Sequence, residues 1–104
     1  MQLDIATMET QSGKAAQLLN AMSNQKRLMI MCHLLECEKS VGEISELVQL
    51  RQSPLSQHLA KLRALGLVTT RRDGQSIYYS LSSPEVAAIL ETLYTIYCMP
   101  ARAR

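Results

Sequence analysis

A chain of 104 residues is one domain in size, and it leaves little room for a substrate cavity beside a core, so an enzyme is not expected. Eleven Lys and Arg against nine Asp and Glu give a formal charge of +2, too weak by itself to point to nucleic acid. With no Trp or Phe and six Met the core must be aliphatic and small, which makes pairing with a second copy the expected route to more buried area.

The opening MQLDIATMET has an acid at Asp4 and no sustained apolar run. It does not read as a signal peptide, and no stretch approaches the roughly 18 apolar residues of a membrane span. A cytoplasmic protein without membrane contact is expected, with residues 1–11 a flexible lead into a single domain that spans 1–104. Residues 12–22 place Ala15, Leu18, Leu19 and Met22 at helical spacing. A second helix is expected from Asn24 to Glu36. It has Leu28, Met31, Cys32 and Leu35 on one stripe and Ile30 and Leu34 on a flank, the pattern of a central helix. Glu36, Glu38, Glu43 and Glu46 crowd the middle of the chain, and Ser40 followed by Glu43 forms a capping box that opens a short helix through Val48.

In SPLSQHLAKLRALG, Ser53 is the expected N-cap and Pro54 the first helical residue. Leu55, Leu59 and Leu62 form the buried stripe, and Gly66 is the stop. Beyond Gly66 the period changes from 3.6 to 2: residues 67–71 and 76–81 read as strands joined by a hairpin through Asp73-Gly74. A last helix starts at Ser83-Pro84 and carries Val86, Ile89, Leu90, Leu93 and Tyr97, before a tail, 99–104, expected to be flexible and ending in Arg102 and Arg104.

The result is a mainly α chain with a β-hairpin wing, ordered helix, helix, helix, helix, strand, strand, helix: a winged helix-turn-helix. Between Arg51 and Tyr79 lie five basic residues and one acid, Asp73, the polarity that suits a phosphate backbone. An α-helix fits the major groove, and a two-stranded ribbon can lie along the adjoining backbone. At about 100° per residue, the face of the fourth helix opposite its leucines carries Ser56, Gln57, Ala60, Lys61 and Ala64. The two alanines allow close approach. Gln57 can pair with a base edge, Ser53 and Ser56 can donate to phosphate or base, and Lys61 supplies charge. His58 stands at the apolar edge, where packing and DNA contact are both open to it. Arg71, Arg72 and Gln75 are the candidates on the wing. Double-stranded operator DNA is the expected partner; a winged-helix module that binds protein and no DNA is the competing reading.

The segment LVQLRQSPLSQHLAKLRALGLVTTRRDGQSIYYSL resembles the ArsR/SmtB family of bacterial winged-helix repressors, in the pattern S-x-S-Q-H-L-x-x-L-R followed by G-L-V, R-x-G and Y-Y. The likeness runs from about Ala15 to Cys98. It implies a homodimer in which the first and last helices pair across a two-fold and the recognition helices enter successive major grooves. Pro54 departs from the small residue common at its position, which puts one backbone N–H contact to phosphate in doubt.

Three cysteines in a reducing compartment suggest metal ligands or redox-active thiols more than structural disulfides. The arsenic and cadmium branch of the family has thiolates in the third helix, where SVGEISEL has none; the zinc and nickel branch uses His in the last helix, where SPEVAAILETLYTIYC has none. On a helix Cys32 and Cys37 point roughly 140° apart, whereas His33 and Cys37, four apart, can share an ion. A metal- or arsenite-responsive repressor, at best through three thiolates, therefore stays as the alternative, with no metal or other cofactor assigned. The placing of Cys32 in RLMIMCHL and Cys98 at the end of ETLYTIYC is similar to the persulfide- and redox-responsive, BigR-like branch. That resemblance implies that Cys32 and Cys98 are bridged by reactive sulfur species, the expected inducer, with loss of DNA. Cys37, beside Glu36 and Glu38, reads as a bystander, because carboxylates raise a thiol's pKa.

Overall fold

The structure is a computed structural model and describes residues 2–99. Its elements run α1 (Ile5–Met22), α2 (Gln25–Glu36), β1 (Lys39–Ser40), α3 (Val41–Val48), α4 (Gln52–Ala64), β2 (Val68–Asp73), β3 (Ser76–Leu81) and α5 (Pro84–Cys98). Four of the five helices are capped by a side chain as the N-terminal N–H groups require. Asp4 accepts from the Thr7 amide, Asn24 from Arg27, Ser40 from Glu43 and Ser83 from Val86.

The Asp4 cap corrects the expectation for residues 1–11: among the described residues the helix starts at Ile5 and runs through residue 12 without a break. Ile5 and Met8 extend the row of Ala15 and Leu19 by two turns, but Thr and Ser fill the gap between them and hide the period. Of the expected tail, only Met99 lies within the described residues; Arg102 and Arg104 lie outside them.

One core holds these elements together. It is built from Ile30, Met31 and Leu34 of α2, Ile44 and Val48 of α3, Leu55, Leu59 and Leu62 of α4, Val68 of β2, and Val86 and Leu90 of α5, with Ala21 and Met22 from the end of α1. As its pattern required, α2 is central. By contrast, α1 buries only its last two residues, and the chain's radius of gyration, 15.5 Å, exceeds the roughly 13 Å of a compact domain of this length.

The sheet has three strands in the order β1-β3-β2, all antiparallel. β1 was not foreseen, since two residues show no period. It pairs Lys39 with Tyr79 and Ser40 with Tyr78, and so ties the base of the wing to the segment that leaves α2. Asp73 pairs with Ser76, leaving a two-residue loop, Gly74-Gln75, in which Gly74 takes φ 64° as a tight hairpin of this kind needs.

The capping box at α3 is complete: the Glu43 amide donates to Ser40 Oγ at 3.2 Å, and the Ser40 amide donates to Glu43 Oε1 at 2.8 Å. Ser40→Ala removes the first bond outright. A loss of about 1 kcal/mol is expected, read as a drop of about 4–8 °C in thermal midpoint at fixed protein concentration. An unchanged midpoint would mean that α3 is held by its core residues alone.

Candidate nucleic-acid interface and thiol pair

Residues 49–51 form the turn between α3 and α4. Gln49, in the left-handed region at φ 55°, closes α3, and Leu50 donates back to the Ser45 carbonyl at 3.2 Å. Two side chains brace this turn: Ser45 Oγ donates to the Leu50 carbonyl, and Lys26 Nζ to the Val48 carbonyl at the C-terminus of α3, where a cation suits the helix dipole. These contacts set the angle at which α4 leaves the body.

The N-cap of α4 is a correction. Arg51 holds that position without a side-chain bond, and Ser53 lies one residue inside the helix. Leu55 makes the first helical bond, to the Arg51 carbonyl, so Pro54 still lacks an N–H only where none is needed. The start of α4 is thus left with amides that no side chain caps, the arrangement that favours an anion.

Along α4 the leucine stripe is buried, and Ser53, Ser56, Gln57, Ala60, Lys61 and Ala64 are exposed together on the other side. His58 is half-buried and turns inward to α2, with Nδ1 3.5 Å from Arg27 Nη1. A guanidinium only donates, so Nδ1 is the acceptor and the ring proton sits on Nε2. Arg27 also donates to the carbonyls of Ala21, at 2.8 Å, and Asn20, at 3.2 Å. It therefore joins the end of α1 to the recognition helix. Sequence spacing offered no sign of this joint, because its residues come from three helices.

Burial, then the charges of Arg27 and Lys61, hold His58 below the ordinary imidazole value of 6.5. The unfolded chain then binds the proton more readily than the folded one, so stability present above pH 6.5 is lost as the pH falls through the folded value. Thermal midpoints measured between pH 7.5 and 5 should fall more steeply for the wild type than for His58→Gln, whose side chain does not titrate. Parallel curves would show that His58 is not strained by its charged neighbours.

On the wing, Arg71, Arg72 and Gln75 are all exposed. Arg71 is already engaged: its Nε lies 2.7 Å from both carboxylate oxygens of Glu38, and its guanidinium carbon stands 4.8 Å over the Tyr78 ring. No ion pair is formed by Arg72 among the described residues. Glu38 went unread in the sequence for the same reason as Arg27, since 33 residues separate it from its partner.

All three cysteines are free thiols. Cys32 is half-buried and lines a cleft of about 520 Å³ between α2 and α5, with Leu35, Leu90, Glu91 and Tyr94 among its walls. Cys98 is exposed and continues the Leu90–Tyr94 row one turn on, at four-residue spacing. Burial pushes the Cys32 thiol up, and the charge of Cys98 pushes it in the same direction.

Cys37 is elsewhere. It ends α2 in extended backbone, φ −172°, so the helical spacing that let His33 and Cys37 share an ion no longer applies. Its sulfur accepts from Lys39 Nζ at 3.2 Å, and Glu36 lies 3.6 Å from the same ammonium. The nearest charge is thus a cation and not the carboxylates that the sequence suggested. Among the described residues no three His, Cys, Asp or Glu side chains are grouped to hold a metal ion, and no helix is long and apolar enough to cross a membrane.

Residues 24–70, from the cap of α2 into the first strand of the wing, match the family model for bacterial regulatory protein, arsR family. The transcriptional activator HlyU of Vibrio cholerae is 52% identical over 96 residues, covering 92% of this chain and 89% of its own. The chain belongs to the arsR family. The biofilm growth-associated repressor of Xylella fastidiosa is 42% identical over 91 residues, 88% of this chain and 80% of its own.

Solved structures agree. The repressor BigR from Xylella fastidiosa superposes with a TM-score of 0.88 at 39% identity, over 94% of this chain and all of that one. Reduced HlyU from Vibrio cholerae does so with 0.84 at 54% identity, over 89% and 98%. This arsR-family chain is therefore a winged helix-turn-helix transcriptional regulator that binds DNA, and not an enzyme.

Proposed function

We propose that this arsR-family protein is a homodimeric repressor, joined through α1 and α5, that leaves its operator when Cys32 and Cys98 are oxidised or bridged by reactive sulfur species. Recognition is assigned to Ser53, Ser56, Gln57 and Lys61 of α4, with His58 at their inner edge, and to the wing that carries Arg71, Arg72 and Gln75. Pairing is supported by apolar side chains that one copy leaves in water: Ile5, Met8 and Leu19 on α1, Tyr94 and Tyr97 on α5. They lie on the two elements that the family resemblance assigned to the interface.

What supports the sensing role is that Cys32 lines the α2–α5 cleft and that Cys98 stands on the same row of α5 as the cleft residues Leu90 and Tyr94. Cys98 is the open sulfur and Cys32 the shielded one. A Cys98 thiolate attacks a sulfane sulfur of a polysulfide; the S–S bond of the polysulfide breaks, and Cys98 becomes a persulfide. The Cys32 thiolate then attacks Cys98 Sγ, forming the disulfide and expelling hydrosulfide. Two thiol protons pass to solvent, and the two electrons lost by the cysteines leave on that hydrosulfide. If both cysteines gain a sulfur first, joining them with loss of one hydrogen sulfide leaves a trisulfide. The repressor role is supported by the likeness to the biofilm growth-associated repressor of Xylella fastidiosa, and the redox role by the likeness to HlyU from Vibrio cholerae, whose structure is of a reduced form.

The test uses a duplex selected for binding from a random pool. Binding is measured over a salt series before and after polysulfide, with intact mass of the product, and separately after zinc and arsenite. Steep salt dependence together with release on polysulfide and a mass loss of two hydrogens, or a gain of sulfur, is the expected result. Release by arsenite or zinc alone would replace this reading with metal sensing, and binding without salt dependence would point to a protein partner.

A further inference from the structure

Arg71 and Arg72 are neighbours on β2, yet a strand sends successive side chains to opposite faces. The register assigns the faces: Arg71 lies across from Tyr78, and Arg72 from Ile77. Ser40 of β1 also pairs with Tyr78, and Glu38, two residues earlier, shares its side of the sheet. That side therefore gathers Glu38, Arg71 and Tyr78, with Asp73 Oδ2 3.9 Å from the same guanidinium. The other side carries Thr70, Arg72, Ile77 and Tyr79, and Tyr79 shares a cleft with Ser56, Ala60, Arg63 and Ala64 of α4. Arg72 thus lies on the face of the wing turned to the recognition helix, and Arg71 on the face turned away.

The position of the brace is mechanically particular. β1 pairs with β3 only at Tyr78 and Tyr79, so from Ile77 and Arg72 to the tip the wing is a two-stranded ribbon, and such ribbons are marginal in water. Arg71 and Tyr78 form the last rung with third-strand support. An exposed ion pair by itself contributes little. Here a carboxylate, an aromatic face and a second acid act on one guanidinium, and together they define one orientation where the ribbon leaves the body.

We propose that Arg71 is a positioning residue, fixed by Glu38 and Tyr78 to set the direction of the wing, and that Arg72 supplies the wing's charge to the DNA phosphates. The inference rests on the wing being a DNA contact. It divides two roles that adjacent identical residues conceal in the sequence.

Operator binding over a salt series is measured for Arg72→Gln, Arg71→Gln, Glu38→Gln and the exchanged pair Glu38→Arg with Arg71→Glu, with thermal midpoints alongside. Arg72→Gln should lower the slope of log affinity against log salt by about 0.9 per protomer, or about 1.8 per dimer. Arg71→Gln and Glu38→Gln should each weaken binding at least about fivefold, the low end of ordinary coupling between sites, with the slope kept. The exchanged pair should recover most of that loss, and amide exchange between Arg72 and Ile77 should quicken in Glu38→Gln. The proposal falls if Arg71→Gln lowers the slope as Arg72→Gln does, if Glu38→Gln leaves binding unchanged or tightens it, or if the exchanged pair binds no better than Arg71→Gln. If neither arginine variant changes affinity or slope, the wing does not touch DNA, and both readings fail at that point.

Discussion

Cys32→Ser and Cys98→Ser proteins should bind the operator as the reduced wild type does and keep it after polysulfide treatment, while Cys37→Ser should release like the wild type. The wild type should lose about 5- to 150-fold in affinity on treatment, equivalent to about 1–3 kcal/mol of coupling between the thiols and the DNA surface. The physical route is short. α2 lies in the core beside α3 and contributes Ile30, Met31 and Leu34 to it, and α5 enters the same core through Val86 and Leu90. A disulfide requires Cα atoms within about 4.4–6.8 Å.

Linking Cys32 to Cys98 therefore holds the last turn of α5 against α2. Tyr94 and Tyr97, exposed in one copy, lie on that turn or just before it, so the link alters the surface on which a second copy rests. The dimer angle sets the spacing of the two recognition helices. Because burial raises the pKa of the Cys32 thiol and Cys98 is the exposed sulfur, Cys98→Ser should slow sulfur uptake at the pair, whereas Cys32→Ser should stop at the Cys98 persulfide. Intact mass after treatment separates these outcomes. Release that survives both substitutions, or a cross-linked product that binds as tightly as the reduced protein, would end the redox reading.

A second large effect is expected from charge on the apolar face. Leu19 is 55% and Tyr97 79% exposed in a single copy, and an aspartate at each place is tolerated by the isolated fold, since neither side chain enters the core. In a dimer those positions are covered, and burying unpaired carboxylates is costly. Leu19→Asp combined with Tyr97→Asp should shift the protein from dimer to monomer in sedimentation with little change in helical content. Operator affinity should then fall by about 10²–10⁴-fold, the gain that two linked half-site contacts ordinarily supply. A wild type that sediments as a monomer, or a double variant that remains a dimer, would place the interface elsewhere.

Much of the architecture was legible from local rules. The leucines at 55, 59 and 62 and the Ser40–Glu43 box each report on a few successive residues and formed where their patterns lay, and the hairpin expected through Asp73-Gly74 formed one residue on, at Gly74-Gln75. The exposed face of α4 followed from the same periodicity, because a helix with one buried stripe presents the remaining residues to solvent. Local rules failed where a pattern was weak or tied: Asp4 caps a helix whose apolar row is interrupted, and Ser53 and Arg51 compete for a cap that neither side chain fills.

What the sequence by itself determined is the order of the five helices and the hairpin, the winged helix-turn-helix and which residues of α4 face outward, all set by spacings within one segment. Tertiary structure alone decided the rest: that Arg27 joins α1 to His58, that Glu38 pairs with Arg71, that Lys39 stands by Cys37, and that Cys32 shares a cleft with Leu90 and Tyr94 of α5. Most of these contacts bridge residues far apart in the chain, and the one between near neighbours depends on α2 ending where it does. Hydrophobic burial brings such groups together by packing whole faces, and no periodicity along the chain records which polar side chains meet when those faces close.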